Sequence, residues 1–230
     1  DRLPPPYLQN VRCRRQAMCA NSLPLSPALL RRHVGVAPPA SYPAEAWPGY
    51  RAPIVRADGS GGWKCRLARF GLIPHWARDG AIGRKTYNAR SETVGERPSF
   101  KHAWRRGQYC LVPMAAFFEP SWESGKAERW RIAPADAEYL AVAGLWERWT
   151  NPQTRQPELS FTLLTVNADA HSLMRRFHRP RSEKRMIVVI PPEERAAWLH
   201  ATADYARSFL LPYPAERLAA APSPRQPVAD

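Results

Sequence analysis

Between residues 109 and 190 the chain carries its apolar residues in short runs of strand length. That pattern limits its fold more than any other feature. Leu111-Val112 and residues 139–145, 161–166 and 186–190 read as strands, the last two as β-branched or aliphatic runs bounded by turn residues. Residues 169–177 have the length and polarity of a short helix. Pro191-Pro192-Glu193-Glu194 opens another, with acidic side chains where the helix dipole favours them. Upstream, Ser26-Pro27 ahead of Ala28-Leu29-Leu30 combines an N-cap with proline at the first helical position. Strands interleaved with short helices, without regular βαβ spacing, point to α+β rather than a doubly wound sheet. Residues 37–62, crowded with Pro, Gly and Ser, read as a surface connection, and residues 212–230 as a Pro/Ala-rich disordered tail.

Composition closes off several classes. With 44% apolar residues in 230, the chain can build a core, so global disorder is excluded. No run approaches the roughly 18 apolar residues of a membrane span, and the first residues contain no apolar signal-peptide core. The four cysteines, at 13, 19, 65 and 110, are too few for a disulfide-stapled miniprotein. They form no CxxC pair, and no HxxxH or HExxH accompanies them, so neither metal nor cofactor is expected; scattered thiols suit a cytoplasmic protein. A net charge of +14 favours a polyanionic partner such as nucleic acid, with a solvated Arg-rich surface as the plain alternative.

Four segments could carry chemistry. Cys19 follows Met18, and if chain residue 19 became N-terminal it would hold a thiol and an α-amine on adjacent carbons. Such an amine has a pKa near 7.7–8.0, condenses with aldehydes, and leaves the thiol to close a five-membered thiazolidine; an internal, buried cysteine is the bland alternative. Residues 69–76 and 85–93 interleave aromatics with cations, as a nucleic-acid surface does. In them Asn88 can donate and accept at once, whereas Phe70 and Trp76 could equally be core and Arg90 could pair with Glu92 or another carboxylate. Glu119 ends an apolar stretch, where burial would raise its pKa toward that of a general acid. His178 lies between a helix and a strand, with His171 a weaker competitor.

Taken together, Met18-Cys19, Gly71-Leu72-Ile73-Pro74 with Trp76, Asn88-Ala89-Arg90-Ser91-Glu92-Thr93, Cys110-Leu111-Val112-Pro113 with Glu119, and His178 before Arg185-Met186 form a series. It resembles the SOS-response-associated peptidase (SRAP) family, whose members shield abasic sites in single-stranded DNA by covalent crosslinking. The likeness runs from about Met18 to Leu210, and its Asn-Ala-Arg-Ser-Glu-Thr and Cys-Leu-Val-Pro pieces are highly specific.

The resemblance implies a single compact domain, a β-rich barrel-like sheet assembly with flanking helices, over residues 19–211. It implies Cys19 as nucleophile, Asn88 orienting its amine and the sugar, Glu119 as the acid/base that protonates the sugar oxygen, and His178 assisting proton transfer. Arg90 and Arg179 would hold phosphate, and Phe70, Pro74 and Trp76 would line a base-stacking surface. The expected partner is single-stranded DNA with abasic sites, bound by a monomer without metal or membrane. Residues 1–18 are expected to be artefactual or removed by self-processing. A non-covalent single-stranded DNA binder and a Cys-dependent peptidase are the alternatives. The sequence departs from the family pattern in Ala20-Asn21-Ser22 after Cys19, in Phe70 where Trp is common, and in Pro120 after Glu119.

Overall fold

The computed structural model describes residues 20–225. In chain order the elements are β1 (Asn21–Pro24), α1 (Pro27–Val34), β2 (Arg51–Ala57), β3 (Trp63–Phe70), β4 (Asn88–Arg90), α2 (Lys101–Arg105), β5 (Tyr109–Ser121), β6 (Glu128–Pro134), β7 (Leu140–Thr150), β8 (Pro157–Asn167), β9 (Arg185–Ile187), α3 (Arg195–Leu199), α4 (Ala203–Ala206) and β10 (Leu218–Pro222). Five of them close on themselves: β2 pairs with β3 and β5, β3 with β8, β8 with β7, and β7 with β5. Closure satisfies backbone groups that an open sheet would leave at its edges. Only short helices flank this barrel, so the α+β, barrel-like expectation holds.

The 13-residue β5 organises the rest. Its residues from Tyr109 to Met114 pair with β7 inside the barrel. Its second half runs out of the barrel between β1, which pairs Asn21 with Phe118, and β6, which pairs Trp130 with Glu119. A buried strand end is thereby projected into an extension of the same sheet formed by β1, β5, β6 and β10.

Local chemistry explains the helices. Ser26 caps α1, its hydroxyl accepting from the Leu29 amide at 3.3 Å, with Pro27 in the first turn. Three expectations need correction. Residues 37–62 contain β2, whose central residues are buried in succession, so no alternation marks it and Pro53 disguises it further. The stretch from residue 212 is ordered through Pro222, because β10 lies along β6; three successive alanines give no apolar period. Within residues 169–177 only Met174–Arg176 winds, as a 3-10 turn. There the His171 Nδ1 accepts from the Leu173 and Met174 amides at 3.2 and 2.9 Å, a local bond that competes with helix.

Gly71, the first residue of the Gly-Leu-Ile-Pro motif, has φ +112°, and a Cβ there would run into the Gly83 carbonyl. Gly71→Ala is therefore expected to cost about 2 kcal/mol. Urea unfolding followed by tryptophan fluorescence measures it, and an unchanged midpoint would show that the two backbones part freely.

Candidate active site

Glu119 stands where β5 has left the barrel, yet it is only 2% exposed. A buried carboxyl needs a partner, and the chain brings His178 to it from a different segment. Phe177 forms an isolated bridge with Ser121, and the His178 amide donates to the Pro120 carbonyl at 3.0 Å. The loop is thus stitched to the strand beside Glu119. His178 has φ +67°, a left-handed conformation that costs a non-glycine residue roughly 1–2 kcal/mol. Lys184 Nζ holds it there by donating to the His178 carbonyl at 3.2 Å.

The ring is oriented as a proton carrier. Nε2 lies 2.9 Å from the Arg185 carbonyl, which can only accept, so Nε2 carries hydrogen. That leaves Nδ1 facing Glu119 Oε2 at 3.5 Å. The two atoms lie close enough for a proton to pass between carboxyl and imidazole with little rearrangement.

The described thiols are unsuited to attack. Cys65 and Cys110 are buried; burial pushes the Cys65 thiol up to about 11 and the Cys110 thiol further. Neither is a thiolate near neutrality. Cys19 lies outside the described residues. Ala20, next to it in the chain, leads into β1, and Asn21 is held there by Arg129 Nη2 on its Oδ1 at 2.8 Å and by its own Nδ2 on the Ala46 carbonyl at 3.3 Å. Since Asn21 lies opposite Phe118, the chain meets the sheet at the level of Glu119.

The remaining predicted residues divide. On β4, alternation buries Ala89 and turns Asn88 and Arg90 to the opposite face, with Asn88 half-buried and Arg90 exposed. Arg90 binds Glu183 Oε2 at 2.6 Å, the pairing with a carboxylate that was its alternative reading. Glu183 in turn holds Arg185, whose carbonyl accepts a hydrogen bond from His178 Nε2, so β4 and the imidazole belong to one network. Arg179 is exposed beside His178, its guanidinium 5.2 Å from the Trp122 ring centre. Trp76 is 50% exposed. Two base-stacking expectations need correction. Phe70 is 1% exposed, stacked on Phe161 with ring centres 5.1 Å apart and edge-on to Tyr87, so it packs the barrel. Pro74 is buried as well.

Two residues escaped the sequence reading. Trp122, three residues beyond Glu119, supplies the aromatic beside Arg179; its place in the chain was the available signal. Arg185 is 1% exposed and binds Glu92, Glu183 and the Thr165 carbonyl. No local pattern marks a buried arginine whose partners come from three segments.

Comparison with known proteins identifies the chain's relatives. The family model described as SOS response associated peptidase (SRAP) matches residues 13–226. Abasic site processing protein YoqW of Bacillus subtilis is 35% identical over 167 residues, covering 71% of this chain and 70% of that protein. Abasic site processing protein YoaM of the same organism is 33% identical, with 71% and 69% covered. A crystal structure of a protein from Bordetella bronchiseptica superposes with a TM-score of 0.83 at 37% identity, covering 89% of this chain and 99% of that one. No helix among the described residues is long and apolar enough to cross a membrane. With nearly its whole length matched and the predicted Glu119 and His178 in contact, the chain belongs to the SOS response-associated peptidase family.

Proposed function

We propose that this protein captures abasic sites in single-stranded DNA by a covalent bond to Cys19. The observation that carries the reading is the buried Glu119–His178 pair at the level where β1, which begins two residues after Cys19 in the sequence, meets β5. The names of the relatives, abasic site processing proteins, support the substrate, and a net charge of +14 suits a polyanion.

The chemistry balances without cofactor. Hydrolysis of the Met18–Cys19 peptide bond frees the Cys19 amine. Glu119 gives a proton to the sugar ring oxygen while the C1′ hydroxyl loses one, opening the ring to its aldehyde. The amine adds to C1′ and water leaves, forming a Schiff base that Asn88 orients. The Cys19 sulfur then bonds to C1′, its proton passes to nitrogen, and a thiazolidine closes. His178 relays protons to and from Glu119.

The test is incubation of the purified chain with single-stranded DNA bearing one abasic site, followed by a denaturing gel and intact-mass measurement. A heat-stable adduct whose protein begins at Cys19 is expected. A gel shift under native conditions with no adduct would make it a non-covalent binder. Peptide turnover with neither would make it a Cys-dependent peptidase. Binding should rest partly on Trp76, the exposed ring of this surface. Stacking on a base is worth about 1–3 kcal/mol, so Trp76→Ala is expected to weaken native-gel binding by about tenfold, and unaltered affinity would remove Trp76 from the interface.

A further inference from the structure

Next to Trp76 in the chain, the fold gathers three metal-ligating side chains that the proposed reaction does not use. Glu147 lies on β7, His102 on α2, and His75 in the loop between Pro74 and Trp76. His102 Nδ1 is 2.7 Å from Glu147 Oε2, and His75 Nδ1 is 3.7 Å from the same oxygen. The two imidazole rings stand 4.0 Å apart, and one ligand atom from each residue lies within 4.8 Å of the others. We infer that His75, His102 and Glu147 form a site for a divalent transition-metal ion of the zinc class.

The donor set fits that ion. Two imidazoles and one carboxylate with an open fourth position are ligands that zinc takes at about 2.0–2.2 Å, and hard ions such as Mg²⁺ prefer oxygen alone. Tetrahedral bonds of about that length place ligand atoms roughly 3.3 Å apart, between the two separations seen here. Small rotations of the two rings would close the site.

The carboxylate is also built for the role. Its side chain is only 4% exposed. Its other oxygen, Oε1, accepts from Gln108 Nε2 at 3.2 Å and from the Arg148 amide at 3.1 Å. Those two bonds aim Oε2 at the imidazoles, as outer hydrogen bonds orient metal ligands generally. The histidines are 46% and 37% exposed at their side chains, so an ion and its water can reach them from solvent. Cysteine spacings and the HExxH pattern could not reveal this site, because its ligands come from a loop, a helix and a strand far apart in the chain.

The test uses the full chain, freed of metal by a chelator and titrated with Zn²⁺ by calorimetry, and with Co²⁺ by visible absorption. One Zn²⁺ per chain is expected, with the visible bands of four-coordinate Co²⁺ and no thiolate charge-transfer band. His102→Ala and Glu147→Gln should each weaken binding at least about a hundredfold. His75→Ala, at an exposed position whose loss spares the core, should weaken it comparably, whereas His200→Ala, an exposed histidine elsewhere, should leave it unchanged. Absence of binding, a thiolate band from the cysteines, or affinity indifferent to His75→Ala and His102→Ala would overturn the inference. None of these readouts involves DNA, so the site stands or falls separately from abasic-site capture.

Discussion

Cys19→Ala is expected to abolish the heat-stable adduct with abasic DNA, and Glu119→Gln to slow its formation about a thousandfold. The two losses differ in kind. Without the Cys19 thiol no ring can close, so the first variant leaves at most a reversible Schiff base. In the second, every bond-forming atom is present, but the amide cannot pass a proton to the sugar oxygen or accept one back from His178. Glutamine keeps the size of a side chain that is 2% exposed and can still donate to His178 Nδ1, so packing should survive. Single-turnover rates from quenched denaturing gels measure the effect, with native-gel affinity for the same DNA as the control. A Glu119→Gln rate equal to that of the parent chain would show that the sugar opens without this group, and the carboxyl would then be structural.

Much of this site was legible because its residues sit in dense local motifs. Glu119 and His178 were readable one at a time, as an acid at the end of an apolar run and a histidine in a loop. Their contact was not, since it depends on β5 leaving the barrel and on a loop bridging back to Ser121. The aromatic surface was misread for a related reason. Phe70 and Trp76 look alike in a string of aromatics and cations, and only closure of β3 onto β8 decides that Phe70 stacks on Phe161 while Trp76 stays half open. In the fold, the strands found were those with continuous aliphatic runs. Six strands carried no such run and went unread, and two of them, β2 and β10, hold proline or alanine where a β-branched residue would have announced them. The metal-ligand cluster was invisible on the same grounds as Arg185: each ligand is ordinary until tertiary structure supplies the others.

Arg185→Ala is expected to destabilise the protein by about 3 kcal/mol, the low end of the range found when one member of a buried charge pair is removed, because its carboxylate partners are partly open to water. The guanidinium is 1% exposed and spans Glu92 at 2.7 and 2.9 Å, Glu183 at 2.8 Å and the Thr165 carbonyl at 2.7 Å. Its loss leaves the buried Thr165 carbonyl unpaired and returns two carboxylates, 49% and 31% exposed at their side chains, partly to water. For a chain of this size the fall in Tm should be on the order of 10 °C. Acid should narrow the gap. Burial pushes the Glu92 and Glu183 carboxyls up, but hydrogen bonds and charge from Arg185, with Arg90 nearby, outweigh it and hold both below the usual range. Groups held low in the folded state lend stability above the unfolded carboxylate pKa of about 4.3, and that stability disappears as pH falls through their folded values. Parent and variant should therefore converge below about pH 4. The main-chain carbonyl at this position also accepts the hydrogen bond from His178 Nε2, so a variant that folds should still crosslink, more slowly if the imidazole is freed to turn. Urea titrations at pH 7 and pH 3 separate these effects. A loss under 1 kcal/mol at pH 7 would mean that water replaces the guanidinium, and the network would then be an orienting device for His178 rather than a source of stability.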